Sequence, residues 1–196
     1  MPTNLEIEYK TLLSMSEYET LRARFSHVKP VRQVNHYFDT TDFQLREKRL
    51  ALRIRTFKHS AELTLKVPLE VGNMEHNITL PLGEAEQMIA DKSLLSALSD
   101  ISEVCQLIKD ANIKLSDVTC IGSLATTRQE YQMPIGLAAL DANSYLGMSD
   151  FEFELEVDDA ERGQADFNAF LAANAIEFRY ARSKVVRFLD TLRHQK

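Results

Sequence analysis

In most of the strand-like stretches of this chain, every second residue is charged or polar and the residues between are apolar. Successive side chains of a strand point to opposite faces, so this period sorts each strand into one charged and one apolar face. The first strand sets Glu6, Glu8 and Lys10 against Leu5, Ile7 and Tyr9. Later strands set Arg53 and Arg55 against Leu52 and Ile54, and Glu62, Thr64 and Lys66 against Leu63, Leu65 and Val67. Glu75 and Asn77 oppose Met74 and Ile78, and Arg128 shares a face with Glu130. The last strand sets Glu152, Glu154 and Glu156 against Phe151, Phe153, Leu155 and Val157. A merely solvated face would mix in Ser, Thr, Gln and Asn, whereas these faces are dominated by carboxylates and Arg or Lys. Three glutamates on one strand face repel one another unless a cation sits among them. The pattern therefore favours a functional interior over a wet surface.

Eight strands are predicted by this alternation, at Leu5–Leu13, Val34–Asp39, Ala51–Phe57, Ala61–Val67, Met74–Pro81, Ile121–Gln132, Ile135–Tyr145 and Asp150–Asp158. Lys58–Ser60 and Met133–Pro134 are short enough for hairpin connections. Helices are expected at Ser16–His27, where Ser16 and Glu19 have capping-box spacing, and at Thr41–Arg49. Further helices are expected within Glu84–Ala111, in two or three pieces, and at Glu161–Asn174 and Arg182–Arg193. This order lacks the strict strand–helix alternation of a parallel sheet. The fold class is α+β: an eight-stranded closed antiparallel β-barrel with a charged lumen and helices packed outside. Closure turns the apolar faces outward under the helices, and eight strands leave room for one small ligand.

The 196 residues, 44% hydrophobic and 27% charged, suit one soluble domain spanning 1–196. A net charge of -6 argues against a nucleic-acid partner. Cys105 and Cys120 fit no metal motif and read as free thiols of a reducing cytoplasm. No apolar leader and no run long enough to cross a bilayer as a helix is seen, so a cytoplasmic location without membrane association is expected.

The predicted lining carries Glu6, Glu8, Glu62, Glu75, Glu130, Asp141, Glu152, Glu154 and Glu156, against Lys10, Arg53, Arg55, Lys66, Arg128 and, from the last helix, Lys184. Glutamates two apart on a strand are roughly 7 Å apart and suit a hard divalent cation such as Mg²⁺ or Mn²⁺. Arginine forks and lysine point charges suit phosphate oxygens. A polyphosphate with bound metal satisfies both sets. The same cations would stabilise charge that develops as a phosphoryl group departs. His36, His59 and His76 are scattered and form no zinc set.

At these residues the chain resembles the CYTH proteins, or triphosphate tunnel metalloenzymes. Glu6-Ile-Glu8-Tyr-Lys10 is similar to their ExExK signature and Tyr37-Phe-Asp39-Thr-Thr to their Y-F-D-T segment. Leu52-Arg53-Ile54-Arg55, Leu65-Lys66, Glu152-Phe-Glu154-Leu-Glu156 and Ser183-Lys184 follow in the family's order. The likeness looks strongest to a Firmicute-type, thiamine-triphosphatase-like branch. It implies an eight-stranded tunnel and Mg²⁺- or Mn²⁺-dependent action on inorganic, thiamine or nucleoside triphosphates. Carried over, Glu6, Glu8, Glu152, Glu154 and Glu156 would be metal ligands. Lys10, Arg53, Arg55, Lys66, Arg128 and Lys184 would hold phosphates, with Lys10, Lys66 and Arg55 closest to the chemistry; Glu75 and Asp141 are possible partners. One departure is Asn73-Met-Glu75-His-Asn77, where many members carry an R-x-E-x-E-like stretch. A triphosphatase, monomeric or homodimeric, is the leading expectation. An adenylate cyclase making cyclic AMP needs a base pocket for which no feature is found. A non-catalytic module binding polyphosphate or a nucleotide would fit the departure near Glu75. Tyr37 and Asp39 are expected to fix a turn into the next helix.

Overall fold

A computed structural model describes residues 3–94 and 101–195. Its strands are β1 (Thr3–Leu13), β2 (Val31–Asp39), β3 (Ala51–Thr56), β4 (Ala61–Pro68), β5 (Asn73–Leu80), β6 (Thr119–Met133), β7 (Gly136–Tyr145) and β8 (Met148–Val157). They close into an antiparallel barrel in the order β1-β5-β4-β3-β2-β6-β7-β8. Around them pack the helices α1 (Met15–Arg24), α2 (Gln44–Glu47), α3 (Leu82–Ala90), α4 (Ser102–Asp110), α5 (Ala160–Ala173) and α6 (Lys184–His194). A 3-10 turn at Leu115–Asp117 was not anticipated. The expected helical stretch between α3 and α4 falls partly on residues 95–100, outside the described residues. None of the described helices is long and apolar enough to cross a membrane.

Two compact units make up the chain, one of residues 1–5 and 33–123 and the other of residues 6–32 and 124–196. In the first unit, Leu52, Ile54, Leu63 and Leu65 share one face of β3 and β4 and are fully buried. Ala85 and Met88 of α3, and Val104, Cys105 and Ile108 of α4, complete that core. Each such Leu or Ile contributes roughly 1.5–3 kcal/mol by leaving water. Asp39 closes β2 as expected. Its carboxylate accepts the backbone N–H groups of Thr40, Leu45 and Arg46 at 2.7, 2.9 and 3.2 Å, which fixes the entry to α2.

In the second unit, Ile7, Leu140, Phe153, Leu155 and Val157 meet Tyr18 and Leu21 of α1 and Phe167 and Leu171 of α5. Phe153 stacks on Phe170 with centroids 4.4 Å apart. Gly163 lets α5 lie this close, because a Cβ there would stand 2.9 Å from the Val157 Cβ. The capping box at α1 is real but begins two residues earlier than the spacing of Ser16 and Glu19 predicts. Ser14 leaves β1 in extended conformation, its hydroxyl accepts the Glu17 N–H, and the Glu17 carboxylate accepts the Ser14 N–H at 2.7 Å. Glu19 instead pairs with Arg22 on the helix surface. The β6–β7 hairpin turns at residues 134–135, with Met133 opposite Gly136.

Candidate functional site

Both cores cover only one face of their strands, and the opposite faces carry the chemistry. In the second unit, β8 aligns Asp150, Glu152, Glu154 and Glu156 by the strand period. Register then sets Glu8 opposite Glu156, Lys10 opposite Glu154, Asp141 opposite Glu152 and Asn143 opposite Asp150. Arg128 of β6 lies opposite Asp141. The last helix adds two cations from its first turn, Lys184 and Arg187.

Asp141, Glu152 and Glu154 each bring a carboxylate oxygen within 4.8 Å of the others, and all three are buried. The Lys184 ammonium enters this group, 2.8 Å from Asp141, 2.5 Å from Glu152 and 2.6 Å from Glu154. Arg128 grips Asp141 with two parallel bonds of 2.8 and 2.7 Å and reaches Glu154 at 2.5 Å. Arg187 holds both Glu152 oxygens, at 3.0 and 2.9 Å, and lies 3.1 Å from Asp150. Asn143 donates to Glu152 and Asp150, each at 2.9 Å. Lys10 pairs with Glu8 at 2.5 Å.

These contacts set the protonation states. Burial alone would raise the Glu154 pKa, but Lys184, Arg128 and Lys10 outweigh it and hold the group well below the usual range. Asp141 is likewise lowered, with burial opposed by Lys184 and Arg128. Burial would lower the Lys184 pKa, yet the three carboxylates raise it well above normal. Tyr145, whose hydroxyl donates to Asp150 at 2.7 Å, is pushed up to about 12, first by burial and then by that carboxylate.

In the first unit, the face carries Gln33, Asn35 and Tyr37 of β2, Arg53 and Arg55 of β3, Glu62, Thr64 and Lys66 of β4, and Glu75 and Asn77 of β5. Register places Asn35 opposite Arg55, Tyr37 opposite Arg53, Arg55 opposite Glu62, and Lys66 opposite Glu75. Arg55 donates to the Asn35 side-chain oxygen at 3.0 Å, and Lys66 pairs with Glu75 at 2.7 Å. The Glu75 pKa falls to about 2, since Lys66 and Arg53 overcome the opposing effect of burial. On this face, outside the Lys66–Glu75 pair, Gln33 Nε2, Asn35 Nδ2, Arg53 Nε and Asn77 Oδ1 are buried without a hydrogen-bond partner among the described residues.

The sequence-predicted residues thus form two sets. Glu8, Lys10, Arg128, Glu152, Glu154 and Lys184 gather in one unit, and Arg53, Arg55, Lys66 and Glu75 in the other. Glu6 and Glu156 share the second unit's charged face by strand alternation but lie outside the three carboxylates within 4.8 Å. Asp141, expected only as a possible partner, is central. Arg187, Asp150 and Asn143 were missed. The signal for Arg187 is its i,i+3 spacing from Lys184, which puts both on one helix face. The donor set of the three carboxylates is all oxygen, which fits a hard cation of the Mg²⁺ or Mn²⁺ kind.

The CYTH domain matches residues 4–189. The chain is 33% identical, over 98% of each protein, to YjbK of Bacillus subtilis (strain 168), which carries a provisional triphosphatase name. The crystal structure of a Bacillus halodurans protein (bh2851), provisionally named an adenylate cyclase, superposes with a TM-score of 0.86 at 34% identity, covering 96% of this chain and 99% of that one. HpAC1 from Hippeastrum, an adenylyl cyclase by provisional name whose structure is described as revealing a dominant triphosphatase activity, matches with a TM-score of 0.81 at 25% identity, over 95% and 96% of the two chains. A barrel whose strands carry acids and arginines on the face away from the helices, matched along almost its whole length, makes this chain a member of the CYTH domain family.

Proposed function

We propose that residues 1–196 form one cytoplasmic tunnel domain that hydrolyses a triphosphate with the help of Mg²⁺ or Mn²⁺. The observation that carries this reading is the buried group of Asp141, Glu152 and Glu154 clamped by Lys184 and Arg128, oxygen donors that could hold a metal ion beside cations suited to phosphate. Glu6, Glu8, Glu152, Glu154 and Glu156 would hold the metal, with Asp141 beside them. When bound, it would neutralise phosphate charge and lower the pKa of a bound water. Arg53, Arg55, Lys66, Lys10 and Arg128 grip the phosphate oxygens. Lys184 exchanges carboxylate partners for a phosphate oxygen. Lys10, Lys66 and Arg55 then stabilise charge on the departing phosphoryl group, where fixed donors act most strongly. The relatives' triphosphatase names support this choice over cyclisation of ATP, and the provisional cyclase name of the Bacillus halodurans protein keeps cyclisation as the second reading.

The test is a phosphate-release panel of inorganic triphosphate, thiamine triphosphate, ATP and long-chain polyphosphate with each metal, with products separated by chromatography. Glu8→Ala and Arg55→Ala are expected to lower kcat/KM by roughly 10²–10³-fold. Full activity in either folded variant sinks the site assignment, and cyclic AMP from ATP favours the second reading.

A further inference from the structure

We infer that Gln33 and Asn35 of β2 contact the substrate, donating their side-chain amide hydrogens to the non-bridging oxygens of a phosphate chain gripped by Arg53 and Arg55. This inference rests on the phosphate-binding reading above. Gln33 is 3% exposed and Asn35 is 0% exposed. Asn35 lies opposite Arg55, and Gln33, two residues earlier on β2, shares its face by the strand period. The orientation of Asn35 follows from its neighbour. A guanidinium only donates, so the Asn35 oxygen must face the Arg55 Nε, 3.0 Å away. Its NH₂ is then committed elsewhere, and it finds no acceptor. The Gln33 NH₂ and the Arg53 Nε–H have none either.

Buried donors are nearly always paired in folded proteins. Three donors unpaired among the described residues, on two adjacent strands and one face, suit an acceptor long enough to span them. That acceptor must be anionic, because Arg53, Arg55 and Lys66 outnumber Glu62 and Glu75 on this face. It must also carry several oxygens, because the donors are separate and directional. A phosphate chain meets both conditions, and a halide meets only the first. The amides add direction without adding charge, so they select for oxygen geometry where the arginines select for charge. Both amide nitrogens are shut off from solvent, so phosphate reaches them as the arginine side chains move aside to grip it.

The experiment pairs affinity with stability in Gln33→Leu and Asn35→Leu. The probe is a methylene-bridged, non-hydrolysable triphosphate with Mg²⁺, followed by calorimetry. Each substitution is expected to weaken binding ~10-fold or more, as loss of a hydrogen bond to a charged group does. Gln33→Leu removes a buried donor without a partner among the described residues, so its Tm stays the same or rises, whereas Asn35→Leu also removes the acceptor of Arg55 Nε and its Tm falls. Asn35→Asp, which keeps the oxygen for Arg55 and turns the other donor into an acceptor, weakens binding further than Asn35→Leu. Unchanged binding in both Leu variants, or failure of Gln33→Leu to fold, overturns the inference, since either outcome means the amides serve the fold. Arg55→Ala separates the two levels. If it weakens binding while the amide variants do not, only this inference fails. If wild type does not bind the probe, or Arg55→Ala binds as wild type does, the phosphate reading fails as well.

Discussion

Lys184 in the second unit touches three carboxylates within 2.8 Å, and Arg128 and Arg187 take up their remaining oxygens. The first unit's charged face holds three buried donors with no acceptor among the described residues. Two faces built from the same residue types by the same strand period thus reach opposite states of satisfaction. Within the second unit, internal cations neutralise the acids, so any cation from outside must compete with Lys184. Within the first, three donors are left without an acceptor among the described residues, and a ligand with several oxygens could take them. A buried polar group costs stability unless paired. The second face therefore contributes to holding the fold, and the first is held by the rest of the fold.

Removing cations from the satisfied face is expected to have the largest effect. Lys184→Met leaves three buried carboxylates without their shared partner and is expected to cost about 3–5 kcal/mol in urea denaturation. A loss under 1 kcal/mol would show that the face tolerates unpaired acids and erase the contrast. Arg187→Met removes the two bonds to Glu152 and should cost about 2–3 kcal/mol in the same measurement. Glu75→Gln probes the Lys66–Glu75 ion pair of the other face and should cost about 1–2 kcal/mol at pH 7. Its sign with pH is fixed. The folded pKa of Glu75 is depressed from 4.5 to about 2, so the stabilisation is complete above the unfolded value and is lost as pH falls from about 4.5 toward 2. The wild-type and Glu75→Gln curves should converge in that window. Convergence at higher pH would mean that Lys66 holds the carboxylate less tightly than the 2.7 Å pair implies. Gln33→Leu, which removes a donor without a partner among the described residues, should change stability by less than about 1 kcal/mol.

Much of this was legible before any coordinates. Strand alternation identified both charged faces, because burial of one face and chemistry on the other write the same period-two pattern. It also put Glu152, Glu154 and Glu156 on one face and Arg53 beside Arg55. What escaped were choices made by tertiary structure. Ser14 and Ser16 each have a glutamate three residues on, and only the end of β1 at Leu13 decides between them. Arg187 reads as one more polar position on an amphipathic helix until α6 docks against β8. Gln33 and Asn35 are uncharged, so no pattern of acids and bases marks them, and a β2 starting at Val34 leaves out Gln33, whereas the strand begins at Val31.

The pairing of β1 with β8 has a consequence for synthesis. Ile7 meets Val157, about 150 residues later in the chain. On a ribosome that adds about 5–20 residues per second, the edge of β1 that β8 will cover stays open for roughly 8–30 s. An uncovered strand edge is a template for pairing with other chains. The alternating charges of Glu6, Glu8 and Lys10 along that edge then act as gatekeepers, discouraging a second nascent chain from docking there before the first has closed its own ring.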